Sequence, residues 1–199
     1  MTDTLIGPGF SDPVFQSQSA FRALLAALSE PGTRQQVAVE ITPPEALQAA
    51  TATALLTLAD YETPIWLPPA WRDGPAGAWL RFHCGAALVA EPGKATFAVI
   101  DGLSLEPPLS AFDAGSDQFP DRSTTVIVQC GALEGGEATT LTGPGIAGAR
   151  VIAPSGLHAG FWAEVAANNA RYPLGIDLLL STGDAVVGLP RSTRIGEAN

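Results

Sequence analysis

Apolar side chains in the first thirty residues recur at helical intervals. Phe21, Leu24, Leu25 and Leu28 follow i, i+3, i+4, i+7 spacing and predict one buried face. Asp12 is placed to cap this helix, and Pro13 suits its first position, where a missing N–H costs nothing. Pro31-Gly32 ends it. A second helix is predicted from Thr42-Pro43-Pro44-Glu45, where Thr42 and Glu45 have capping-box spacing. Its buried stripe would be Leu47, Ala50, Ala54, Leu55 and Leu58, and Asp60 to Pro64 breaks it.

Beyond Pro64 the period shortens. Ala78–Cys84 alternates, with Trp79, Arg81 and His83 opposed to Leu80, Phe82 and Cys84, and predicts a strand. Thr96–Ile100 and Thr124–Cys130 are compact β-branched runs of the kind buried on both faces of a sheet. Thr139–Thr142 and Ala149–Ala153 flank a Gly143-Pro144-Gly145 turn. A third helix is expected from His158 to about Ala170, burying Phe161, Trp162 and Val165. Ile176–Leu180 and Ala185–Leu189 close the pattern as strands around Ser181-Thr182-Gly183-Asp184. Helices early, strands in the middle and a helix late predict a mixed α/β sandwich, one domain over residues 1–199.

Composition narrows the function. With 199 residues, 46% apolar and 15% charged, the chain can bury a core without staples and is not disordered. Cys84 and Cys130 lie far apart without CxxC spacing, as in a reduced cytoplasmic protein. MTDTLIGPGF lacks the basic start and apolar run of a signal peptide. The longest charge-free stretch, Ala46 to Ala59, is too short and polar to cross a bilayer, so no membrane partner is expected. A net charge of −10 argues against nucleic acid, which needs clustered Lys and Arg.

Gly143-Pro144-Gly145 reads as a structural turn rather than a phosphate loop. Pro144 removes an N–H from its middle, and no lysine or helix follows. Lys94, the one lysine, sits in a turn signal where a solvated side chain is the ordinary outcome; Schiff-base chemistry would need it in a desolvated pocket. His83 and His158 lack a third ligand at motif spacing, so no metal is expected. Asp60 and Glu62 are explained by solvation of a helix end, and Cys130 by burial as a small hydrophobe. Arg171, Asp177, Arg191 and Arg194 form the most polar constellation. It could bind an anion in forked geometry or fix the C-terminal strand pair through a salt bridge. No catalytic residue set is complete.

The ordered series Phe21-Arg22 with Pro31-Gly32, LLTLADYETPIW (Leu55 to Trp66), GPGI (Gly143 to Ile146), RYPLGID (Arg171 to Asp177) and LPRSTR (Leu189 to Arg194) resembles the PhnH family of the bacterial carbon–phosphorus lyase machinery. Two mild departures are Tyr172, where the pattern has phenylalanine, and Ser192, where it has threonine. The resemblance implies a three-layer α/β/α fold with a mixed sheet, like that of pyridoxal-phosphate-dependent transferases but without the cofactor. It further implies a cytoplasmic homodimer joined to PhnG, PhnI and PhnJ in a core complex. That complex displaces adenine from ATP with a phosphonate, giving a ribose methylphosphonate triphosphate. The resemblance puts that chemistry on PhnI rather than on this subunit, with PhnG, PhnH and PhnL required alongside.

Three readings follow. An accessory subunit should expose apolar contact surface. A ligand-binding or catalytic subunit should gather at least two of Arg171, Arg191 and Arg194 around a phosphonate or nucleotide. A cofactor-dependent transferase should hold Lys94 in a cavity.

Overall fold

The computed structural model describes residues 6–37 and 40–197. Met1–Leu5, part of the stretch read above for a leader signature, lie outside them. A mixed seven-stranded sheet organises the chain in the order β1-β9-β8-β5-β4-β2-β3. Its strands are β1 (Arg34–Gln36), β2 (Ile65–Trp66), β3 (Leu88–Val89), β4 (Phe97–Asp101), β5 (Thr125–Gln129), β8 (Asp177–Thr182) and β9 (Ala185–Leu189). The five from β8 to β3 run parallel, whereas β9 is antiparallel to both β8 and β1. A second, antiparallel sheet joins β10 (Arg194–Glu197), β6 (Thr139–Thr142) and β7 (Arg150–Ile152).

The central strands are buried on both faces, and alternate residues supply two cores. Val99, Ile127, Leu179 and Val186 meet α1 (Pro13–Ser29), α2 (Ala49–Leu58) and α4 (Pro75–Cys84). Ala98, Ile100, Val126, Val128, Leu178 and Leu180 face the other way, toward α5 (Phe161–Asn169) and the small sheet. A parallel strand so covered has no polar side, which is why these runs read as continuously apolar. The strands expected in the second half of the sequence form within a residue or two of their predicted limits.

Four expectations are corrected. Residues 78–84 are not a strand; they belong to α4, which Pro75 opens and left-handed Gly85 closes. Trp79 and Leu80 are both buried, impossible for neighbours in a half-exposed strand, while Phe82 is exposed. The second helix begins at Ala49 rather than at Thr42, without a capping box. Each of Thr42 and Pro43 precedes a proline, which disfavours helical backbone there. Similarly, α5 starts at Phe161, after a turn in which Phe161 N–H bonds the His158 carbonyl.

The fourth concerns the face of α1. Asp12 does cap it, accepting from the Phe15 N–H at 3.3 Å, but its buried residues are Ala20, Leu24 and Ala27. Phe21 and Leu25 are about half exposed. The cause is a close approach: a Cβ on Gly188 of β9 would lie 2.3 Å from the Ala27 carbonyl oxygen. Only small side chains fit between backbones that near, so the helix turns its alanines inward and its large residues out.

Candidate functional site

The C-terminal turn of α5 builds the polar region. Asn168, 8% exposed, donates its side-chain N–H to the Ile176 carbonyl and accepts the Ile176 N–H, both at 2.9 Å. This double bond pair hooks the loop between α5 and β8 onto the helix. Gly175 makes that possible: its φ is 125°, and a Cβ would sit 2.9 Å from Asn168 Oδ1. The loop delivers Asp177 to the start of β8, beside the residues that leave β9.

There Arg191 encloses the carboxylate. Its backbone N–H reaches Asp177 Oδ1 at 2.8 Å, Nε reaches the same oxygen at 3.2 Å, and Nη2 reaches Oδ2 at 2.6 Å. Nη1 donates to the Pro120 carbonyl, and the Arg191 carbonyl accepts from Asn169 Nδ2 at 2.8 Å. The two side chains are 14% and 24% exposed. A guanidinium so committed is a fastener rather than an open ligand site.

The other two arginines open in different directions. Arg194, at the start of β10, makes no ion pair among the described residues. It lines a cleft of about 450 Å³ with Gly143, Pro144, Asn169, Tyr172 and Ser192. Arg171 lines a smaller one, about 210 Å³, with Asn168, Glu164 and Leu109. Residues 168 and 171 line one cleft and 169 and 172 the other, because the turn that follows α5 bonds the Arg171 N–H to the Asn168 carbonyl and the Tyr172 N–H to the Asn169 carbonyl. Arg171 and Arg194 do not share a cleft lining, and Arg191 is spent on Asp177.

The Gly143–Gly145 turn forms one wall of the Arg194 cleft. Gly143 has φ 133° and Gly145 φ 80°. A Cβ at Gly145 would meet the Ser29 carbonyl oxygen at 2.2 Å, so the turn is pressed against the end of α1. Three segments remote in sequence, 143–145, 169–172 and 192–194, thus converge on one opening. Their order along the chain gives no sign of that convergence.

The remaining candidates take structural positions. Lys94 is exposed and paired with Glu91 at 2.8 Å. His83 Nε2 lies 2.9 Å from the Gly7 carbonyl, which Trp79 Nε1 also bonds at 2.9 Å, fixing the N-terminal segment on α4. His158 Nδ1 accepts the Gly160 N–H. Asp60 accepts from the Glu62 N–H at 2.9 Å in a local turn. Burial pushes the Cys84 thiol up to about 11 and that of Cys130 up to about 12, far from a reactive thiolate. Among the described residues no three His, Cys, Asp or Glu side chains gather as metal ligands, and no helix is long and apolar enough to cross a membrane.

Comparison with known proteins places this geometry in context. The family described as "Bacterial phosphonate metabolism protein (PhnH)" matches over residues 8–196. The chain is 41% identical over 186 residues to "Alpha-D-ribose 1-methylphosphonate 5-triphosphate synthase subunit PhnH" of Rhizobium meliloti (strain 1021), covering 94% of this chain and 93% of that one. It is 31% identical over 183 residues to "Putative C-P lyase subunit protein HtxG" of Stutzerimonas stutzeri, covering 90% and 86%.

Proposed function

From the premise that this chain belongs to the PhnH family, we propose that it is an accessory, non-catalytic subunit of the carbon–phosphorus lyase core complex. In that role it supports the synthesis of α-D-ribose 1-methylphosphonate 5-triphosphate from ATP and methylphosphonate in organophosphonate breakdown. The names of its two relatives, each a subunit of such a system, support the assignment.

The observation that carries the accessory role is the outer face of α1. Val14, Phe15, Phe21 and Leu25 are 75%, 71%, 49% and 56% exposed. Val14, Phe21 and Leu25 stack on one line of the helix, with Phe15 alongside. Large apolar groups held in water over about three turns suit a protein–protein contact. The proposed assembly is a cytoplasmic homodimer of one-domain subunits joined to PhnG, PhnI and PhnJ. Its proposed fold kinship is to the pyridoxal-phosphate-dependent transferases, as three α/β/α layers without the cofactor. The exposed, ion-paired Lys94 fits that reading.

Co-expression with the three partner subunits, followed by a size measurement and a turnover assay, tests it. The chain is expected to co-purify with them and, alone, to leave ATP and methylphosphonate unchanged. Turnover by the isolated chain would sink the non-catalytic role.

A second reading has its own support in Arg194, which forms no ion pair among the described residues. In it, the cleft between Tyr172, Ser192 and Arg194 holds an anionic phosphonate or nucleotide. Arg191 and Asp177 fasten the strand ends that carry Ser192 and Arg194, and Arg171 serves the neighbouring cleft. Calorimetric titration with ATP and with methylphosphonate at two salt concentrations tests it. Binding that weakens with salt and disappears in Arg194→Ala is expected.

A further inference from the structure

The carboxyl ends of the five parallel strands lie on one edge of the large sheet. Between β2 and β4 the direction of the chain's connections reverses. From β2 it proceeds to β3 on one flank; from β4 it proceeds to β5 on the other. Outgoing segments that part in this way leave a crevice beyond the strand ends, the place where open α/β sheets take their ligands. In this chain the crevice holds a cleft of about 670 Å³, larger than the Arg194 cleft.

The side chains around it are of two kinds. Trp66 ends β2, and Trp71 lies on α3 (Pro69–Arg72), the next short helix. Asp101 ends β4, and Ser104 and Glu106 follow in the loop. Trp66 is fixed by its N–H to the Ala90 carbonyl at 3.2 Å and by an edge-on contact with Phe112 at 5.7 Å. Asp101 Oδ1 accepts the Leu103 N–H at 3.0 Å, which orients the carboxylate. Among the described residues neither Asp101 nor Glu106 forms an ion pair, and no lysine or arginine lines the cleft.

We propose that this cleft binds an organic cation, a guanidinium or alkylammonium group, against the Trp71 indole and the carboxylates of Asp101 and Glu106, over a floor to which the largely buried Trp66 contributes. Indole faces attract cations, and a carboxylate pairs with a guanidinium through two parallel hydrogen bonds. A phosphate or phosphonate would meet two negative charges and no positive one. The site is therefore opposite in sign to the Arg194 cleft and does not rest on the family reading. The cation has two sources: a small free metabolite, or a side chain presented by another polypeptide.

The test titrates the full chain with agmatine, with an acetylated and amidated Gly-Ala-Arg-Ala-Gly peptide, and with the same peptide carrying citrulline for arginine. Tryptophan fluorescence gives the readout. Saturable binding of a cationic probe is expected, with the citrulline peptide roughly tenfold weaker or worse. Glu106→Gln, an exposed position that leaves the core intact, and Trp71→Ala should each weaken it roughly threefold or more. Tighter binding of the peptide identifies the source as a polypeptide side chain, and tighter binding of agmatine a free cation. No saturable binding, equal binding of arginine and citrulline peptides, or indifference to both substitutions overturns the proposal.

Discussion

Asp177 and Arg191 bind one another through two side-chain contacts and one backbone N–H, at 2.6 to 3.2 Å. The pair ties the start of β8 to the exit of β9, and through Pro120 and Asn169 it reaches two further segments. Removing one partner leaves the other charge largely out of water. Asp177→Asn or Arg191→Leu should cost about 2–4 kcal/mol in urea unfolding, somewhat below the loss for a fully buried pair. The double substitution to leucine should cost less than the two single losses combined.

Gly175 carries a second, independent constraint on the same loop. Alanine there must adopt a strained φ and push against Asn168 Oδ1. Gly175→Ala is expected to lower stability by roughly 1–3 kcal/mol. The same experiment on Gly135, whose Cβ would meet nothing within 4 Å although φ is 81°, should cost less, because strain acts there without a clash. Midpoints of chemical denaturation compare the two.

Arg194 is exposed and forms no ion pair among the described residues, so its loss should be nearly silent in stability, within about 0.5 kcal/mol. Its effect belongs to ligand affinity. Arg194→Ala should weaken ATP or phosphonate binding roughly tenfold or more while leaving the melting temperature in place, if the second functional reading holds. Calorimetry and a thermal melt on one sample separate the two effects.

Alkaline pH should destabilise the fold through its thiols. Burial pushes Cys130 up to about 12 from an ordinary 9.0. Above about pH 9 the unfolded chain releases a proton that the folded chain keeps, so the stabilisation present below that pH is lost as pH climbs toward 12. The slope per thiol is on the order of 1.4 kcal/mol per pH unit. Cys84, pushed up to about 11 by burial, acts in the same direction. Cys130→Ala should flatten the fall in urea stability between about pH 9 and pH 10.5.

The outer face of α1 should matter to partners and not to folding. Phe15→Ser combined with Phe21→Ser removes exposed apolar groups that contribute little to the core. Stability should change by less than about 1 kcal/mol, whereas co-purification with the partner subunits should drop sharply. Unchanged co-purification would move the contact elsewhere.

The central strands could be read from the sequence because a strand covered on both sides advertises itself as an unbroken apolar run. Val126-Ile127-Val128 and Leu178-Leu179-Leu180 have no other reading of comparable strength. The face of α1 could not be read, since it depends on Gly188, more than 150 residues away, admitting the helix backbone. The strand expected at residues 78–84 failed for a local reason. An alternation of large and polar residues outweighed Pro75 and Gly85, which mark the ends of α4. The motifs around Arg171, Asp177, Arg191 and Arg194 were visible, but their division into one fastener and two separate openings was not. That division is decided by Asn168 and Gly175, which set the path of the intervening loop.

The step from β9 to β10 is a mechanical link between the two sheets. Between Leu189 and Arg194 the polypeptide leaves one sheet and enters the other, where Arg194 pairs with Thr142 and Ile195 with Leu141. The last strand therefore shields one side of β6 and also tethers the small sheet to the Arg191 anchor. A shortened variant ending at Arg191 would strip that shield and leave β6 a bare row of amides and carbonyls, an invitation to adhesion between molecules.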